Sequence, residues 1–107
     1  MIEAVYHRKY NRLTLKGHAL SAEVGKDLVC ASASTLAYTL AANVEKLANS
    51  GQVKKPVIRL NEGDAEISCT PQRRFAAVIT LIFDSICAGF TLLAEEYPDN
   101  VSFKILG

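Results

Sequence analysis

Two segments of the chain show the hydrophobic spacing of α-helices. Between Leu28 and about Asn49, apolar side chains recur every three or four residues: Ala33, Leu36, Ala37, Leu40, Val44 and Leu47. Between Arg73 and Tyr97, a second stripe continues until Pro98 stops it: Phe75, Ile79, Ile82, Phe83, Ile86, Phe90, Leu93 and Tyr97. Such spacing places apolar side chains on one face of a helix. The sequence therefore predicts two helices, over 28–49 and 73–97.

Other segments alternate apolar and polar side chains, which is typical of strands with one buried face. Ile2 to His7 and Arg12 to Lys16 predict a first hairpin. Lys54 to Leu60 and Ala65 to Thr70 predict a second hairpin, because the turn-forming residues Asn61, Glu62, Gly63 and Asp64 lie between them. A last strand begins at Val101 and alternates through Ile105.

The predicted order is ββαββαβ. Strands joined by short turns pair antiparallel, and two helices can cover one face of such a sheet. The fold class expected is α+β, with two helices packed on a mainly antiparallel sheet. A chain of 107 residues is the usual size of one domain, so we expect a single domain over residues 1–107.

Composition excludes several classes of function. Twelve basic and eleven acidic side chains give a net charge of +1, so no strong field favours direct nucleic-acid binding. The first ten residues carry early charges and lack the apolar centre of a secretory signal, which predicts a cytoplasmic location. The three cysteines are odd in number and widely spaced, so we expect reduced thiols, no metal site and no cofactor.

The second predicted helix is similar in composition to a membrane span, because Phe75 to Ala94 contains only one charged residue, Asp84. A charged aspartate near mid-membrane costs about 2.5–3.5 kcal/mol. Insertion would also remove the longest apolar helix from the core, so we predict no membrane association.

Val78, Leu81 and Leu92 fall outside the main stripe of the second helix. The first helix or a second copy of the chain must cover them, and we predict a homodimer.

The candidate chemistry lies around His18 and Cys30. With Asp27 as the N-cap, Cys30 would occupy the third position of the first helix. The start of a helix favours a thiolate, and its unpaired N–H groups could donate to an oxyanion. His18 ends the second strand, and the loop from Ala19 to Lys26, which contains Gly25, could bring it to Cys30 as a general acid and base.

Asp27 and Ser34 are candidate supporting residues, and each has two possible roles. Asp27 either orients His18 or caps the helix, and these uses compete for its carboxylate. Ser34 lies one turn after Cys30 and either lines the pocket or packs as a small residue. Cys69 and Cys87 occupy apolar strand and helix positions and are interpreted as buried thiols.

Two other functions fit the same residues. One is a non-catalytic peptide-binding or ribosome-associated homodimer. The other is a redox sensor, although the sequence shows no evident second thiol for it.

Two blocks of residues carry a family resemblance. They are Gly17-His18-Ala19 and the stretch from Gly25 through Asp27, Val29, Cys30 and Ala31 to Ser34, followed late in the chain by Gly89-Phe90 and Leu93-Ala94-Glu95 with Tyr97-Pro98. Through these the chain closely resembles the ribosomal-processing cysteine protease family, Prp, also called YsxB-like. The interval between the motif histidine and cysteine also agrees.

The resemblance implies a protease that removes an N-terminal extension from a large-subunit ribosomal protein, the one whose arm approaches the peptidyl-transferase centre. In that family the motif cysteine is the nucleophile and the motif histidine its partner, which assigns these roles to Cys30 and His18. No third orienting residue is evident, so we expect a dyad. The family is dimeric, and its apolar, aromatic-rich substrate extension implies a hydrophobic groove near Cys30. We also expect the segment from Ala19 to Lys26 to close over a bound peptide.

Overall fold

The computed structural model describes residues 1–18 and 24–107, and the side chains within them except those of residues 24–27. Its strands and helices, in chain order, are β1 (Ile2–His7), β2 (Arg12–Lys16), α1 (Val24–Asn49), β3 (Val53–Asn61), β4 (Asp64–Pro71), α2 (Ala76–Glu96) and β5 (Val101–Leu106). Short 3-10 turns precede β2 and α2, at Arg8–Tyr10 and Arg73–Phe75. The predicted order ββαββαβ and the α+β class are confirmed.

The strands form one sheet in the order β3-β4-β2-β1-β5. Both hairpins pair antiparallel, as does β2 with β4, whereas β5 pairs parallel to β1. The sheet is therefore mainly antiparallel, as predicted. The pairing of β2 with β4 brings Lys16 opposite Asp64, which places the end of β2 beside the β3–β4 turn.

The core lies between one face of the sheet and the two helices. Alternate strand residues are buried there, among them Ile2, Ala4, Tyr6, Leu13, Leu15, Ala65, Ile67 and Cys69. Helix α2 contributes a buried stripe of five residues, Ile79, Phe83, Cys87, Phe90 and Leu93. The rings of Tyr6 and Phe83 stack with their centroids 5.7 Å apart. The helical stripes predicted from spacing are thus the faces that the sheet covers.

By length and composition alone, the stretch from Arg73 to Glu96 could cross a membrane. In this fold one face of α2 is part of the core, and Asp84 pairs with Arg8 at 3.0 Å. The outer face stays apolar: Val78, Leu81 and Leu92 are 52%, 65% and 67% exposed. Helix α1 packs beside α2 without covering this stripe.

The predicted start of α1 was wrong. The helix begins at Val24, so Asp27 is its fourth residue and not its N-cap, and Gly25 is helical rather than part of a loop. The apolar spacing becomes readable only from Leu28, and glycine and aspartate favour helix ends over helix interiors. Both signals therefore pointed to a later start. Residues 19–23 lie outside the described residues, and with them most of the segment predicted to close over a peptide.

Candidate functional site

A cleft of about 300 Å³ lies where α1 faces the end of β2 and the turn between β3 and β4. Four of the predicted site residues line it: Gly17, His18, Cys30 and Ser34. His18 and Cys30 are twelve positions apart in the chain and belong to different elements. The fold brings both to one cavity.

Cys30 owes its position to the buried side of α1. Its neighbours Val29, Ala33 and Ala37 are almost fully buried against the sheet, and Cys30 is partly exposed at the edge of that face. Ser34 follows one helical turn later and is exposed at the cleft. Burial of the small alanines thus fixes the helix rotation that turns Cys30 toward the cleft.

The electrostatic role assigned to the helix start needs correction. Cys30 is the seventh residue of α1, not the third. The N–H groups of residues 28–31 therefore lie within the helical hydrogen-bond ladder, where they are not free to bind an oxyanion. The macrodipole effect also falls off beyond the first turn. Asp27 sits inside the helix, and its side chain is outside the described residues, so its predicted role toward His18 stays a prediction.

His18 follows β2 and is held by its backbone. The Gly17 N–H donates to the Gly63 carbonyl at 3.0 Å, and the Met1 amino group donates to the His18 carbonyl at 2.7 Å. Gly17 has φ +93°, and a Cβ there would collide with the Met1 carbonyl oxygen. Only glycine fits this approach without strain. The residue predicted as a supporting glycine therefore lets the strand end lie against its neighbours.

The turn between β3 and β4 lies against His18. Asp64, at the start of β4, accepts from Lys16 Nζ at 2.7 Å and from Arg59 Nη2 at 3.0 Å. These hydrogen bonds, Arg59 first, lower the pKa of Asp64 to about 2, so it is ionised at neutral pH. The three charges join the turn to β2. The sequence had marked this segment only as turn-forming.

Part of the cleft lining is apolar and is called the apolar wall; the resemblance implied a hydrophobic groove near Cys30, but the sequence did not indicate which residues form it. The apolar wall consists of Ile2, Leu15, Ala33, Ala37, Tyr38, Leu60 and Ala65. Tyr38 could have been found, since it continues the four-residue spacing of Cys30 and Ser34 along one helix face. Leu60 could not, because its place beside α1 depends on which strand forms the sheet edge.

The other two thiols are buried, as predicted. Burial raises the pKa of Cys69 to about 11. Burial, with a smaller effect of Asp84, raises that of Cys87 to about 12. Both therefore stay protonated at neutral pH, while Cys30 is the partly exposed cysteine. Among the side chains that the structure describes, no group of three His, Cys, Asp or Glu residues is placed to hold a metal ion.

Comparison with known structures shows close relatives in fold. SMU.848 from Streptococcus mutans matches with 28% identity and a TM-score of 0.70, over 99% of this chain and 94% of that one. The essential ribosomal processing protease Prp from S. aureus, solved with a covalently linked product peptide, matches with 21% identity and a TM-score of 0.69, over 98% and 97%. A structure of the same S. aureus protease with a substrate peptide matches equally well, with 19% identity and a TM-score of 0.69.

A search of curated proteins gave no significant match. The family model described as cysteine protease Prp, however, matches residues 1–102, which is nearly the whole chain. That span includes both sides of the cleft. The chain therefore belongs to the family of the cysteine protease Prp.

Proposed function

We propose that this protein is a cytoplasmic cysteine endopeptidase that removes the N-terminal extension of a large-subunit ribosomal protein, with Cys30 as nucleophile and His18 as its acid and base. The observation that carries the proposal is the meeting of these two side chains in one cleft with an apolar wall. The S. aureus relative is a ribosomal processing protease and binds substrate and product peptides, which supports a peptide substrate here.

Electrostatics of the cleft explain why His18 matters. Among the residues that line the described cleft, His18 is the one able to carry a positive charge, while Glu62 and Asp64 are acidic. Asp64 is already neutralised by Lys16 and Arg59. A thiolate at Cys30 therefore depends on the imidazolium for its counter-charge.

The proposed reaction has two stages. In the first, Cys30 Sγ attacks the scissile carbonyl carbon, and the imidazolium of His18 gives its proton to the leaving amine as the C–N bond breaks. In the second, His18 takes a proton from water, which attacks the resulting thioester. The new C–O bond forms and the C–S bond breaks, so the acid product leaves and the Cys30 thiolate and the protonated His18 imidazole are restored.

The remainder of the cleft suits an apolar peptide. Ser34 and Asn61 bring neutral side-chain donors to the cleft, where a tetrahedral oxyanion would need them. Tyr38 and Leu60 offer apolar surface for substrate side chains. Leu60 also lies on β3, an edge strand, whose free backbone groups can pair with an extended chain.

Processing itself is the first test. Incubating the protein with the full-length ribosomal protein precursor should shorten the precursor by its N-terminal extension, as followed by intact mass. Cys30→Ala and His18→Ala should each slow cleavage by about 10³-fold or more, since each removes a member of the pair. Cys69→Ala, which removes a buried thiol outside the cleft, is the matched control and should cleave at the parent rate. Undiminished cleavage by Cys30→Ala would refute the assignment.

Thiol reactivity separates a protease from a non-catalytic peptide-binding module. We expect iodoacetamide at pH 6 to label Cys30 much faster than Cys69 or Cys87, because burial keeps those two protonated and shielded. Mass mapping of labelled peptides over time gives the three rates. In His18→Ala the fast phase should disappear, since the counter-charge is gone. Equal, slow labelling of all three thiols in the parent would instead favour the binding module.

The apolar wall has a matched pair of residues for testing substrate binding. Leu60 and Ile58 lie on the same strand, and each is 38% exposed, but only Leu60 lines the cleft. Leu60→Asn should lower kcat/KM for the precursor about tenfold, mainly through KM, because it replaces roughly one apolar side-chain contact worth 1–3 kcal/mol. Ile58→Asn should leave kcat/KM near that of the parent. Equal losses in both variants would place the effect in the strand and not in the cleft.

We further propose that the protein is a homodimer that buries the outer stripe of α2. Val78, Leu81 and Leu92 are large, exposed and aligned on one helix face, and α1 does not cover them. An apolar stripe of this kind is typical of an interface between subunits.

Sedimentation equilibrium tests the dimer. The parent should sediment at twice the mass of its 107-residue chain. Leu81→Lys should sediment as a monomer, because it places a charge in the proposed interface. Ile105→Lys, a change at an apolar position on β5 that is 53% exposed, against 65% for Leu81, should remain dimeric. A dimeric Leu81→Lys would move the interface away from α2.

A further inference from the structure

The backbone of Gly63 forms the surface against which the His18 ring lies. A Cβ built at Gly63 would lie 2.7 Å from His18 Cε1 and 3.2 Å from Cδ2, and it would collide with Nε2. Gly63 has φ +73°, a conformation that glycine adopts without strain. Among the glycines for which the structure describes the surroundings, Gly63 is the one where an imidazole occupies the space that a side chain would take.

The contact is local to the cleft. His18 is exposed, and its backbone is held next to Gly63 because the Gly17 N–H donates to the Gly63 carbonyl. Gly63, His18 and Cys30 all line the same cavity. An exposed ring has many rotamers available, so a flat backbone surface beside it restricts which of them it occupies.

We infer that Gly63 is a positioning residue for the reaction: the absence of a side chain at the β3–β4 turn lets the His18 imidazole occupy the position from which it reaches Cys30. This inference rests on the proposed function for its effect on activity. The placement of the ring, however, can be measured without any substrate.

The chain supplies a matched control for backbone strain. Gly51 also has positive φ, +77°, but no atom of the described residues lies within 4 Å of a Cβ built there. Gly51→Ala and Gly63→Ala therefore carry the same conformational penalty of an L-residue in the left-handed region, about 1 kcal/mol. They differ in the contact with His18.

The experiment compares these two variants with the parent. Gly63→Ala should lower kcat for precursor cleavage on the order of 10²-fold, since displacement of a catalytic group by about 1 Å has this effect, while KM changes little. Gly51→Ala should cleave at the parent rate. By NMR, the Cε1–H resonance of His18, one of two histidines, should shift in Gly63→Ala and lose its nuclear Overhauser effect to residue 63.

The outcomes separate the two ideas. Parent-like kcat and an unmoved His18 resonance in Gly63→Ala would overturn the inference, although the proposed function would stand. A parent protein that does not cleave, combined with a displaced ring in Gly63→Ala, would refute the proposed function and support the placement. If Gly63→Ala fails to fold, His18→Ala/Gly63→Ala decides: recovery of folded protein supports the contact, and failure to recover overturns it.

Discussion

The antiparallel register of β2 on β4 is the constraint on which the site depends. It is set by apolar pairs that face the helices, Leu13 with Ile67 and Leu15 with Ala65, and all four residues are buried. A slip by one residue would turn each of these side chains to solvent, so the register is strongly specified. Its consequence at the strand end is that the segment after Lys16 must lie beside the β3–β4 turn.

Cys30 is positioned by a different kind of interaction. The small buried residues of α1 allow the helix to approach the sheet closely and fix its rotation, which leaves Cys30 at the boundary between core and cleft. Cys30, the proposed nucleophile, thus belongs to a packed helix, whereas the His18 imidazole belongs to a strand end held by backbone hydrogen bonds. Both side chains line one cleft, which the turn of the second hairpin completes.

Local pattern was enough to predict the elements, and it failed where structure depends on distant residues. The spacing of apolar residues gave both helices and both hairpins, because it reports which face of each element is buried. The spacing does not indicate that β2 pairs with β4, so the contact between Gly63 and His18 could not be predicted from it. The start predicted for α1 was wrong because the first turn of the helix has no apolar stripe that would indicate a helix. The pair His18 and Cys30 was found through the motif, and the structure adds the cavity they share.

The later position of Cys30 in its helix changes the physical account of how the thiol would be activated. At the seventh helical residue, the dipole contributes little, and the nearby helical N–H groups are already bonded. Two of the cleft-lining residues are acidic, and the field of a carboxylate such as Glu62, which no ion pair among the described side chains neutralises, opposes a thiolate. Among the described groups that line the cleft, the imidazolium of His18 is then the proposed source of stabilisation, and its effect weakens with distance from the sulfur. A glycine at the facing turn, where any side chain would displace that ring, follows from the same requirement.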